Sequence, residues 1–147
     1  MDKQDIKNYL LEKQSNLVAE LKEQTQTIHT MVDIDESDTI DPEDFSHQYE
    51  SQEMEQMLKV QKNRAERGLE LLASLDISPK TKVETGAIIE TDSLNFFIGY
   101  PTIPFDMNGK RYVGISAGSP IYTLMVGKRK GDSFQYAGSS YNITNIF

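Results

Sequence analysis

The sequence predicts an α+β protein: an N-terminal antiparallel two-helix coiled-coil hairpin over residues 1–78, then an antiparallel sheet domain with one short helix over residues 81–147. Three observations predict it. Apolar residues recur at three-, four- and seven-residue steps on both sides of an acidic run in the first half. Short alternating stretches rich in glycine, aromatic and β-branched residues fill the second half. Charge divides at the same place. Residues 1–80 hold nine basic and eighteen acidic side chains, a net of −9, whereas residues 81–147 hold six and five, a net of +1.

The first helix is expected from about Asp5 to about Met31. Ile6, Leu10, Leu17, Leu21, Ile28 and Met31 form its narrow stripe, and Gln24 interrupts it as a polar seam residue. The second helix has a clear start in Asp41-Pro42-Glu43-Asp44. Asp41 suits the N-cap, Pro42 the first helical position and Asp44 the third, and carboxylates in that first turn complement the helix dipole. Its stripe runs through Phe45, Met54, Met57, Leu58, Ala65, Leu69, Leu72 and Leu75. Neither helix is apolar enough to stand alone, so each covers the other's stripe. Val32 to Ile40 is expected to be the loop between them, and Asp76-Ile77-Ser78-Pro79 ends the second helix.

In the second half, GAIIETD and SLNFFIGY read as strands that meet near Asp92-Ser93. Asn108-Gly109 between alternating residues signals a two-residue hairpin. Ser119-Pro120 opens a short helix over IYTLMV, which Gly127 closes. Lys130-Gly131-Asp132 reads as a turn, and SFQYA and SYNITNIF as the last strands. Phe96, Phe97, Tyr100, Phe105 and Tyr112 are expected to supply most of the core, with one or two left for an exposed docking patch.

Composition excludes several functions. The absence of cysteine removes disulfides, thiolate metal sites and cysteine nucleophiles, and fits a reducing compartment. The acidic balance argues against free nucleic acid, whose phosphates need basic surface. The mixed-charge N-terminus does not read as a signal peptide, and no apolar run is long enough to span a membrane. The expected location is cytoplasmic. There is no phosphate loop, nucleotide motif or Ser-His-Asp set, so an independent enzyme is not expected.

No lysine or arginine lies between Lys22 and Lys59, while eleven carboxylates do. They centre on DIDESDTIDPED, where a hairpin would place its tip. A concentrated acidic tip suits insertion into a basic or metal-containing cavity of a partner. For Asp33, Asp35, Glu36 and Asp38 the reading is a solvated loop with electrostatic steering. The same twelve residues also resemble a calcium loop between two helices, with Ile40 at the usual apolar place. Against that, Asp38 stands where glycine is required and Asp44 where a bidentate glutamate belongs. His29 and His47 lack the paired spacing of a zinc site. His29 is expected to be partly packed beside Ile28, and His47 exposed near the tip.

The stretch ISAGSPIYTLMVGKRKGDSFQYAGSSYNITNI resembles the C-terminal domain of the Gre family, bacterial transcript-cleavage factors that bind RNA polymerase. The shared pattern is Ser119-Pro120-Ile121 opening a short helix, then Leu124, Gly127-Lys128, Gly131-Asp132, and a strand carrying Tyr141, Ile143 and Ile146. About 30 residues match closely, and the order of hairpin then sheet extends the likeness over most of the chain. The resemblance implies an FKBP-like sheet domain that docks at the rim of the polymerase secondary channel. Ser119, Pro120, Ile121, Lys128, Arg129 and Lys130 are then the candidate contacts. Without a partner, Lys128-Arg129-Lys130 reads simply as a solvated turn.

The resemblance further implies that tip acids enter the channel and help hold a second Mg²⁺ of the polymerase, promoting hydrolysis of backtracked RNA. No intrinsic cofactor is expected. Asp41 and Asp44, with Glu43 between them, are the candidate acids and Mg²⁺ ligands. Two-metal hydrolysis needs hard oxygen ligands, which a hairpin can supply in trans. The tip departs from the family pattern. Cleavage factors follow an acid-x-x-acid step closely with Asn and then Glu-Tyr, but here Phe45, Ser46, His47, Gln48 and Tyr49 follow. Three roles therefore stand open: a stimulator of cleavage, a channel-occupying inhibitor without cleavage, and a calcium-responsive or structural adaptor. Prolyl isomerase activity, suggested by the FKBP-like fold alone, is disfavoured because residues 81–147 are short and follow the Gre pattern.

Overall fold

The computed structural model describes residues 3–36 and 42–147, with side chains described except for those of 31–36 and 42–49. Helix α1 spans Lys3–Glu36 and α2 spans Pro42–Ser74. They are followed by β1 (Ile88–Thr91), β2 (Asn95–Ile98), β3 (Phe105–Met107), β4 (Lys110–Ile115), α3 (Pro120–Met125), β5 (Ser133–Tyr136) and β6 (Ser139–Ile146). The α+β class and the order of helices before sheet are as the sequence predicts. By contacts the chain forms two compact units, one of residues 1–9 with 71–147 and one of residues 10–70.

In the helical unit the two helices pack antiparallel. Gln14 Nε2 donates to the Ala65 carbonyl at 2.9 Å, and farther along α1 His29 meets Glu55. Val18, Leu21 and Ala65 are buried between the helices, with Leu58 and Leu69 against them. On α2 the inward positions recur at steps of three and four: Glu55, Leu58, Lys62, Ala65 and Leu69.

This seam corrects several expectations. Leu17 is 42% exposed and Val18 is buried in its place. Gln24 faces out, while Thr25 is buried and donates to the Leu21 carbonyl. Met54 and Met57, expected in the stripe, are 51% and 58% exposed, and Glu55 is buried between them. The reason is one of choice. In a polar helix with few apolar residues, two adjacent stripes satisfy the same steps, and the partner helix selects one. Helix α1 also continues through Val32–Glu36, a stretch expected to be loop. That helix occupies Asp33, Asp35 and Glu36, the start of the supposed calcium loop.

The sheet unit contains six strands in the order β3-β4-β2-β1-β6-β5. All pairs are antiparallel except β2 with β4, which are parallel in the register Phe96↔Val113. The antiparallel sheet expected is thus present, with this one parallel pair inside it. After β2 the chain runs to the edge as β3, and the Asn108-Gly109 turn brings β4 back between β3 and β2. Asn108 and Gly109 have φ of 52° and 78°, both left-handed, as a tight two-residue hairpin turn demands. The crossing segment is held close. Gly114 donates to Thr102 Oγ1 at 2.7 Å, and a Cβ on Gly114 would lie 2.1 Å from the Tyr100 carbonyl oxygen.

Alternation along the strands produces two buried faces. Ile89, Phe96, Ile98, Ile115, Phe134 and Ile143 form one, closed by Met125 of α3. Phe96 meets Phe134 and Tyr141 edge-on. On the β3–β4 side, Tyr9, Phe105 and Tyr112 lie ring against ring at 5.5 and 5.7 Å. Phe96, Phe97, Tyr100, Phe105 and Tyr112 are all buried, so the core expectation holds and none of the five is left for an exposed docking patch.

Candidate functional site

The first region lies on the sheet unit around α3. Ser119 sits in extended backbone before the helix, and its Oγ donates to the Ser116 carbonyl at 2.8 Å rather than capping the helix. Pro120 is the first helical residue, where its missing N–H costs nothing. Ile121 is half-buried against the Phe96 cluster. After the fully buried Met125, Gly127 turns left-handed with φ 78°.

The backbone beyond is then tied down. Gly127 N–H donates to the Val83 carbonyl at 2.9 Å, and Val83 N–H donates to the Lys128 carbonyl at 2.8 Å. Arg129 N–H donates to Asp132 Oδ2 at 2.8 Å, and Gly131 N–H to the Ile143 carbonyl at 2.9 Å. This anchoring leaves Lys128 half-buried and Arg129 and Lys130 exposed. Leu124 and Val126 are also exposed, at 44% and 50%. Of the six residues singled out, Ser119, Pro120 and Ile121 chiefly build the helix start. Leu124 on α3, Val126 at its end, and Arg129 and Lys130 on the anchored turn are the exposed side chains here, with Lys128 half-buried beside them. Leu124 entered the sequence reading only as part of a motif, and Val126 not as a contact at all. An apolar residue followed by a turn glycine reads as a helix end until its exposure is known.

The second region is the acidic run. Asp33, Asp35 and Glu36 fall in the last turn of α1, where no basic residue accompanies them. Negative charge at a helix C-terminus opposes the dipole. Glu43 and Asp44 fall in the first turn of α2, where the dipole favours them, and Pro42 opens that helix as expected. Asp41 and His47 were both singled out. Asp41 lies outside the described residues, as do the side chains of Glu43, Asp44 and His47.

Two further groupings escaped the sequence reading. Glu55 is buried at the helix seam, where His29 Nδ1 approaches at 2.7 Å and Lys59 Nζ at 3.2 Å. The hydrogen bond from His29 foremost, then that from Lys59, holds its carboxyl below the usual glutamate range. His29, expected to be partly packed, is thus exposed and bonded across the seam. The strict three-and-four spacing of Glu55 with Leu58 and Ala65 was the available signal.

The other grouping is a lysine clamp in the sheet unit. Lys3 is buried and donates to the Ser78 and Gly86 carbonyls at 2.8 and 2.9 Å. Lys7 donates to the Ala73 and Leu75 carbonyls, both at 3.0 Å, and so caps the end of α2. The carboxyl of Asp76 accepts the Ser78 N–H and Lys80 Nζ, and the Ser78 backbone bond is the main reason its pKa falls to about 2.

Among the described residues, no three His, Asp or Glu side chains gather as a metal site, and no helix is long and apolar enough to cross a membrane. No protein-family model and no curated protein matches the sequence.

Proposed function

We propose that this protein is a regulator of bacterial RNA polymerase that docks through the surface after α3 and offers its acidic helix ends to the secondary channel. The observation that carries the reading is the stretch Ser119–Asp132. Ser119, Pro120, Gly127, Gly131 and Asp132 of the Gre-like pattern each have a structural task, and they leave Leu124 and Val126 exposed at the end of α3 and Arg129 and Lys130 exposed on the anchored turn that follows. Preorganised apolar and basic side chains suit an acidic, partly apolar rim. Helices of 34 and 33 residues, each about 50 Å long at 1.5 Å per residue, supply reach for the acidic ends.

In the cleavage-stimulating form of this proposal, Asp41, Asp44 and Glu43 share a Mg²⁺ with the polymerase. A second form is favoured by Phe45, which stands where the cleavage factors carry Asn. There the acidic ends occupy the channel and obstruct it without recruiting metal.

The test has two stages. Immobilised full-length protein should retain the polymerase from solution, and Lys128→Glu with Arg129→Glu should abolish that retention. Stalled, backtracked elongation complexes then separate the two forms. Stimulated cleavage that disappears in the double variant Asp41→Asn, Asp44→Asn, with retention intact, supports metal recruitment. Asparagine keeps the N-cap while removing charge. Retention without cleavage supports the obstructing form. Absence of retention overturns both.

A further inference from the structure

We infer that the helical unit carries a second docking groove, built to take a basic amphipathic helix of a partner protein. The groove lies wholly within residues 20–58 and does not depend on the polymerase reading. It is lined by Ile28, Met54, Met57 and Leu58 together with the polar Gln24 and Thr27 and the acids Glu20 and Glu23. Its volume is about 620 Å³, enough for several aliphatic side chains. Met54 and Met57 present about half their surfaces to solvent, although Glu55 beside Met54 is buried and Leu58 beside Met57 is half-buried. Methionine's unbranched, polarisable chain adapts to varied apolar partners, which is why such surfaces use it.

Charge selects the occupant. Residues 10–70 carry six basic and fifteen acidic side chains, a net of −9. A second copy of this chain would set one acidic groove against another, and repulsion opposes that. A helix with leucine-like residues at i, i+3, i+4 and i+7 would fill the groove. Lysine or arginine on its flanks would face Glu20 and Glu23, giving fast, oriented association.

The probe is a fluorescein-labelled synthetic peptide of about 18 residues, some five helical turns, with leucine along one face and lysine and arginine elsewhere. Its control has the same composition in an order without helical amphipathicity. Full-length protein is titrated into each, followed by anisotropy at about 0.15 M salt, where purely surface attraction is largely screened. The amphipathic peptide should bind at least about tenfold more tightly than the control, a difference of one decade in Kd. Met54→Gln with Met57→Gln should remove that advantage while leaving the helical circular dichroism unchanged, since both side chains are exposed. Glu20→Gln with Glu23→Gln should weaken binding and flatten its salt dependence. In the wild type, the methyl signals of Met54 and Met57 should shift with added peptide. Equal binding of both peptides, or indifference to the methionine substitutions, overturns the groove. So does a dimer of the protein alone that the methionine substitutions dissolve, because the occupant is then a second copy.

Discussion

In the sheet unit nine buried residues, Phe96 among them, form one core, whereas between the helices Val18, Leu21 and Ala65 do so with two half-buried leucines. The sheet fills its interior with rings and branched chains. The helical seam fills part of its length with polar groups that find partners: Gln14 on a carbonyl, Thr25 on its own helix, Glu55 between His29 and Lys59. Such groups contribute little net stability, since desolvation offsets much of each bond. They do penalise a slipped register, which would leave them buried and unpaired. The sheet unit is therefore the stable platform. The helical unit is defined more by register than by depth of core, and its apolar surface remains partly outside, in Met54 and Met57.

The largest effect that tests this contrast is a pair of core truncations. Phe96→Ala should cost about 3–5 kcal/mol, because the ring is fully buried among Phe134, Tyr141 and the strand aliphatics. Leu21→Ala should fall near the bottom of the ~2–5 kcal/mol range for buried leucines, because its sparse surroundings collapse more easily. Denaturant unfolding of the two variants measures both. A Leu21 loss equal to that of Phe96 would break the comparison.

The contrast was only half visible in the sequence. Asp41-Pro42 marked the start of α2, Asn108-Gly109 marked a turn, and Ser119-Pro120 marked α3, because each needs a backbone geometry that few residue types supply. The ring-bearing core was legible for the same local reason: a large apolar residue in a short strand has few places to go. What stayed hidden depends on the partner element. Leu17 against Val18, and Met54 against Glu55, cannot be ordered until the second helix is laid alongside. The parallel β2–β4 pair depends on where the chain returns after Gly99, which strand periodicity does not encode. Lys3 and Lys7 were not singled out in the sequence, where their in-phase spacing with Ile6 and Leu10 is the one hint of the clamp. For the acidic run, the sequence marked charge and a helix start, and Glu43 and Asp44 do fall in that first turn.

A smaller effect sharpens the comparison through pH. Glu55 and Asp76 both have carboxyls held below their ordinary values, Glu55 by His29 and Asp76 by the Ser78 N–H. A depressed carboxyl contributes stability fully above its unfolded value and loses it as pH falls through the folded one. The stability difference between wild type and Glu55→Gln should be present at pH 7. It should begin to fade near ~4.3, the ordinary glutamate value, and be gone below the folded value. For Asp76→Asn the fading should begin near ~3.9 and run on to about 2. Helical circular dichroism at each pH follows the first, and tyrosine fluorescence, dominated by the sheet unit, follows the second. A Glu55 effect that grows on acidification would mean that the buried carboxylate is a burden on the seam rather than a tie across it.

The smallest expected effect is the most pointed. Met57→Gln removes an apolar side chain from a helix–helix unit that has few, and on the original stripe of Met54, Met57 and Leu58 it would cost as much as a core truncation. The structure places Met57 with 58% of its surface in solvent. The substitution should change stability by no more than ~0.5 kcal/mol, the range for surface positions. Glutamine has nearly the helix propensity of methionine, so the backbone adds almost nothing. Leu58→Gln, one residue on and packed against Val18, Leu21 and Ala65, should cost several times more. If the two variants lose stability equally, the helices share a broader seam than Glu55, Leu58, Lys62 and Ala65 define, and the surface offered to a partner shrinks accordingly.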